Sequence, residues 1–169
     1  PVDYDELRRI ALESCYQLAL LSDRYGVSMH LEGIGPSPLI NIEFLSEVFT
    51  EFPKFRCCFD TGHMSLASKR EGFDLYQFTE EMAPYIGSVH LWNIRGIEDY
   101  LNFHHIPIHP SQRAEDGWVD IARVLKGLGA ASNPFPLILE SPPWYPEALG
   151  DYDYRDGVKW AKELLETSS

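Results

Sequence analysis

Cysteine is scarce in this 169-residue chain: Cys15, Cys57 and Cys58 are too few for a disulfide framework. Cys15 falls on a helical pattern and Cys57-Cys58 inside a strand pattern, so buried free thiols in a reducing compartment are the simplest account. There is no apolar run of about 18 residues and no charged-then-apolar leader, so neither a membrane span nor a signal peptide is expected, and the protein reads as soluble and cytoplasmic. Basic residues are few as well. Fourteen Lys and Arg stand against 26 Asp and Glu, a formal charge of −12 with no Lys/Arg run, so the surface should repel polyphosphates, which argues against a nucleic-acid partner. What the chain does have is 44% hydrophobic and 13% aromatic residues, enough to build the core of a single domain over residues 1–169.

Taken in order, the pattern alternates helix and strand. Tyr4 to Tyr25 carries Leu7, Ile10, Ala11, Leu18, Leu21 and Tyr25 near helical spacing, with Asp3 a candidate cap and Gly26 beyond its end. Val27 to Glu32 reads as a strand stopped by Gly33-Ile34-Gly35-Pro36-Ser37-Pro38. Asn41 to Phe52 predicts a second helix, closed by Pro53. Arg56 to Phe59 predicts a strand that delivers Asp60, then turns through Thr61-Gly62 to His63, with Ala67 to Gly72 a loop. Phe73 to Tyr85 is helical and Ile86 to Trp92 is a third strand. Asn93 to Gly117 has almost no period, and so long a loop in a compact domain is usually functional. Val119 to Leu128 predicts a helix capped upstream by Asp116, Pro136 to Glu140 a fourth strand, and Tyr154 to Leu165 a final helix. Such alternation is the signature of parallel βαβ units.

The polar residues at the strand ends carry the chemistry. Glu32, Asp60, His90 and Glu140 stand at the carboxyl ends of four successive apolar strands, the edge at which parallel α/β proteins build their sites. Asp60 alone could equally be the N-cap of a following helix. Three carboxylates brought together repel one another by several kcal/mol unless neutralised, and a divalent cation is the natural neutraliser. Three oxygen donors and one imidazole suit one Mn²⁺, Mg²⁺, Co²⁺ or Zn²⁺ ion and disfavour a purely structural zinc site. His63 could face the same pocket or simply bond backbone. Arg95 could hold a substrate oxygen by forked hydrogen bonds or lie solvated in its loop. His30, two residues before Glu32, shares its face of the strand, and of His104, His105 and His109 at most one should reach the site. Trp92, Trp118, Trp144 and Trp160 read mostly as core or pocket wall.

Five segments in order, LEGIG at Leu31 to Gly35, FDTGHMS at Phe59 to Ser65, VHLWNIRG at Val89 to Gly96, DGWVDIARVL at Asp116 to Leu125 and LILES at Leu137 to Ser141, resemble the xylose isomerase-like TIM barrels. That superfamily holds sugar isomerases, sugar-phosphate isomerase/epimerase-like proteins and type-two AP endonucleases. The resemblance implies a (β/α)8 barrel of which this chain supplies about the C-terminal half, four βα units, with the N-terminal half supplied by the same protein or by another chain. It implies that Glu32, Asp60, His90 and Glu140 hold the metal, that Glu32 and Glu140 serve as acid and base, and that His63 and Arg95 contact substrate oxygens; of the loop histidines, His104 is the expected substrate contact. The AP endonucleases carry an Asp-x-His pair for further zinc ions where this chain has Asn102-Phe103-His104, which argues against a three-metal site. The expected function is a metal-dependent sugar or polyol isomerase/epimerase acting on a sugar or sugar phosphate by proton transfer next to a carbonyl. The alternatives are a metal-dependent phosphodiesterase and a non-catalytic metal- or sugar-binding barrel fragment.

Overall fold

The computed structural model describes residues 3–33, 37–131 and 133–167, so Ile34, Gly35 and Pro36 of the expected Gly/Pro loop lie outside the described residues. Helix α1 spans Tyr4–Tyr25, strand β1 Met29–Glu32, α2 Ile42–Glu51, β2 Phe55–Asp60, α3 Thr61–Glu71 and α4 Leu75–Met82. Strand β3 spans Ile86–Leu91, α5 Ile97–Phe103, α6 Ile121–Leu128, β4 Leu137–Leu139 and α7 Tyr154–Thr167. The four strands form one sheet in the order β1-β2-β3-β4, every pair parallel. Parallel neighbours need a crossover, and the helices supply it.

The helices begin where side chains satisfy the free amides of a first turn. Asn41 accepts from Phe44 N at 2.9 Å, Asp74 from Tyr76 N and Gln77 N at 2.8 and 2.9 Å, and Asp120 from Arg123 N at 3.0 Å. Asp120 therefore caps α6, not the expected Asp116, which sits in a short 3-10 turn at Ala114–Asp116. Asp3 is extended ahead of α1 but gives it no side-chain cap bond.

One face of the sheet is dry. Phe55, Phe59, Val89 and Leu91 are fully buried beneath the helices with Val48, Met82 and Val124. Burial of this kind, worth about 1.5–3 kcal/mol for each large apolar side chain, holds the layers together. The other face is open: His30 is exposed, Arg56 half-buried and Ile138 44% exposed. These inward-facing side chains of a barrel would meet the strands opposite. The apolar face of α1 is uncovered in the same way, with Ile10, Leu18, Leu21 and Tyr25 between 38% and 66% exposed.

Two regions depart from the sequence expectation. Thr61–Glu71, expected as a turn and then a loop at 67–72, is the helix α3, started by Asp60 and ended by Gly72 at φ 79. Most of it is buried, Ser65 and Ser68 included, so it shows no polar and apolar faces to read. The long aperiodic segment holds α5, which exposes Ile97 and Leu101. No helix among the described residues is long and apolar enough to cross a membrane.

Candidate metal centre

Asp60 is the last residue of β2 and the N-cap of α3, and it is completely buried. Its Oδ1 accepts from His63 N at 2.7 Å, and its Oδ2 accepts from Trp92 Nε1 at 2.8 Å. Thr61 ties the same corner to β3, its hydroxyl donating to Trp92 O at 2.5 Å and accepting from Trp92 N at 3.1 Å. The indole can lie this close because the next residue is glycine: a Cβ on Gly62 would fall 2.2–2.3 Å from Trp92 ring atoms. Burial, with Glu140 and Glu32 close by, outweighs the two hydrogen bonds that favour the carboxylate and pushes the Asp60 carboxyl up to about 7.

Sheet register brings the other strand ends to this corner. Asp60 lies level with His90, and His90 with Ile138, two residues before Glu140, while Glu32 lies level with Cys58. One ligand atom from each of Glu32, Asp60, His90 and Glu140 falls within 4.8 Å of all the others. His90 Nδ1 stands at the centre, 2.9 Å from Glu140 Oε2, 3.6 Å from Glu32 Oε1 and 3.9 Å from Asp60 Oδ2. Strand β4 stops at Leu139, so Glu140 enters from the residue just past the strand.

The donor set fits a divalent cation. His90 Nδ1 and Glu140 Oε2 are both shut off from solvent and both lack a hydrogen-bond partner. They lie 2.9 Å apart without the geometry of a hydrogen bond, and the Glu32 and Asp60 ligand atoms fall within 4.8 Å of both. Buried polar atoms without partners are costly, and an ion held here would satisfy both. Three carboxylates and one imidazole are the donors that oxygen-preferring divalent ions and zinc accept.

An aromatic wall flanks the cluster. His105 stacks on Trp92 at 4.2 Å and 19°, and its Nδ1 is 4.0 Å from Glu140 Oε1. His63 is buried and meets Trp92, Tyr100 and His105 edge-on at 5.3, 5.8 and 5.6 Å. Burial, with His105 adding to it, lowers the His63 pKa and keeps the ring neutral. His104 is exposed, caps α5 with φ 57, and lines a groove with His105, Glu140 and Trp144. The expected loop contact is His104, but His105 is the loop histidine nearest Glu140. Only a tertiary stack distinguishes it from its neighbour, and the sequence carries no mark of that. Trp144 is 63% exposed, against the expectation of a mostly buried residue.

The Arg95 guanidinium is committed to Asp99 by two bonds, of 2.7 and 2.8 Å, and lies over the Trp118 ring at 5.0 Å. With Trp118, Tyr145, Tyr152 and Asp116 it lines a separate cavity of about 470 Å³. His30 accepts or donates at Ser88 Oγ, 2.9 Å away, on the open face. Asn93, not singled out in the sequence, is fully buried and holds the loop: it donates to Gln112 and Val119 O and accepts from Ile94 N and Val119 N.

No family model matches the chain, and no curated protein matches it. Among solved structures, the chain superposes on an L-ribulose 3-epimerase with a TM-score of 0.65 and 19% identity, over 99% of this chain and 56% of that one. The fold is about half of a TIM barrel, four parallel strands with their helices. The half-barrel thus spans little more than half the length of the epimerase it matches, and at this identity the likeness concerns architecture.

Proposed function

We propose that this chain carries the metal-binding half of a sugar or polyol isomerase/epimerase that works by proton transfer next to a carbonyl. The observation that supports it most directly is the convergence of Glu32, Asp60, His90 and Glu140 on one point, with two of their buried atoms unpartnered. One Mn²⁺, Mg²⁺, Co²⁺ or Zn²⁺ ion held by these four residues would supply Lewis-acid polarisation of a substrate carbonyl and its neighbouring hydroxyl. The same fold in an L-ribulose 3-epimerase is in keeping with a sugar or sugar phosphate as substrate.

The residues then divide the work. Glu140, 37% exposed at its side chain, takes the carbon-bound proton, and Glu32 returns one from the other side of the substrate. His63, neutral and fixed among aromatic rings, donates a hydrogen bond to an oxygen that gains negative charge. Trp92, Tyr100 and His105 wall the site and exclude water. His104 borders the groove beside Glu140, and Arg95 contacts substrate only after releasing Asp99. The open sheet face and uncovered α1 support completion of the pocket by an N-terminal half-barrel, in the same protein or another chain.

Deuterium incorporation into a panel of ketoses, followed by NMR with the barrel completed and Mn²⁺ present, tests the assignment. Glu140→Gln should abolish exchange at the carbon next to the carbonyl; undiminished exchange in that variant sinks the role of Glu140.

A further inference from the structure

Parallel register places Cys58 directly beside Glu32, one step deeper in the half-barrel than Asp60. Its buried thiol, the Glu32 carboxylate and a His90 ring nitrogen bring ligand atoms within 4.8 Å of one another, a second donor set that shares two residues with the first. Cys57, its neighbour in sequence, points to the opposite, dry face and packs in the core. His90 Nδ1 at this corner is shut off from solvent without a hydrogen-bond partner, and an ion held here would satisfy it.

We propose that Cys58 is a conditional metal ligand: sulfur-seeking cations are held by Glu32, Cys58 and His90, and oxygen-preferring cations by Glu32, Asp60, His90 and Glu140. The inference rests on reading the corner as a cation site. Cation identity then decides whether Asp60 and Glu140 are ligands, because a thiolate draws Zn²⁺, Co²⁺ or Cd²⁺ far more strongly than Mg²⁺ or Mn²⁺. The thiol proton leaves to solvent as the sulfur–metal bond forms. A soft ion drawn to the sulfur frees the Glu140 carboxylate from the metal.

Cadmium titration of the protein, followed by near-ultraviolet absorption, reads the sulfur bond directly, and Mn²⁺ uptake followed by electron paramagnetic resonance reads the oxygen site. The wild type should develop a sulfur-to-cadmium charge-transfer band. Cys58→Ser and Cys58→Ala should lose the band and bind Cd²⁺ roughly tenfold or more weakly while keeping Mn²⁺ affinity within about twofold. Cys57→Ser should retain the band. Cadmium binding without a band, or a band that survives in Cys58→Ser, overturns the role of Cys58 and leaves the four-residue centre standing. Failure to bind either ion overturns the centre itself and this inference with it.

Discussion

Asp60→Asn in the cation-free protein should change the sign of its stability effect with pH. The folded-state pKa of Asp60 lies above its unfolded value, so the native state keeps the proton between pH 3.8 and about 7. Stability from this group is complete below pH 3.8 and is lost as pH rises through about 7. The interval, 7 − 3.8 = 3.2 units, corresponds to about 4 kcal/mol of penalty for the ionised, buried carboxylate at pH 8. Asparagine is never ionised and escapes that penalty. It has only one acceptor oxygen, however, and two donors converge here, His63 N at 2.7 Å and Trp92 Nε1 at 2.8 Å, so one N–H faces the new amide NH₂ at a cost of about 1–3 kcal/mol. At pH 5 the wild type has lost only about 1.6 kcal/mol to that penalty (5 − 3.8 = 1.2 units), which lies within the 1–3 kcal/mol cost of the misplaced amide, so the variant should be no more stable than the wild type. At pH 8 the relief exceeds the cost, and the variant should equal or exceed the wild type. Urea unfolding with a chelator present at the two pH values measures both differences. An equal loss at pH 5 and pH 8 would refute the reasoning, because it would mean that burial does not penalise the charge.

Gly62→Ala should force the Trp92 indole away from α3 and cost about 1–3 kcal/mol in urea unfolding, with a red shift of tryptophan emission as Nε1 leaves Asp60. Because burial lowers the His63 pKa, stability from that residue is present above pH 6.5 and lost as pH falls through the folded value, so His63→Phe should gain on the wild type in melts run toward acid. Asn93→Ala should leave the buried Ile94 and Val119 amides without acceptors and cost about 2–4 kcal/mol by equilibrium unfolding. Arg95→Ala should cost less than about 1 kcal/mol, since its pair with Asp99 is partly exposed.

The strands and their terminal residues were legible because each strand is a short apolar run bounded by Gly, Pro or a carboxylate, and the parallel alternation followed from the helices between them. The start of helix α3 was legible in Asp60 as a candidate cap, but its extent was not, because a helix buried on nearly every side has no amphipathic period. The α5 segment hid for the opposite reason: its apolar residues Ile97 and Leu101 face outward. Which loop histidine approaches Glu140 depends on His104 taking φ 57 and turning His105 onto Trp92, a consequence of packing that no local pattern encodes.

Capping α3 leaves Asp60 able to serve as a ligand of the proposed centre, and its two fixed donors set it apart from the other carboxylates in the cluster. A carboxylate has two oxygens with about four acceptor positions. The α3 amide of His63 takes one position on Oδ1, and the Trp92 indole takes one on Oδ2, which still faces His90 Nδ1 at 3.9 Å. Two fixed donors lock the side chain before any ion arrives, so little rotamer freedom is lost on binding. Glu140 stands at the other extreme: it follows the end of a three-residue strand, its side chain is 37% exposed, and Oε2 has no hydrogen-bond partner. A centre built from one locked and one loosely held carboxylate can keep its cation on the first while the second turns to move a proton. The order of sensitivity follows: loss of Asp60 should weaken cation affinity more than loss of Glu140, and loss of Glu140 should weaken proton transfer more than cation affinity.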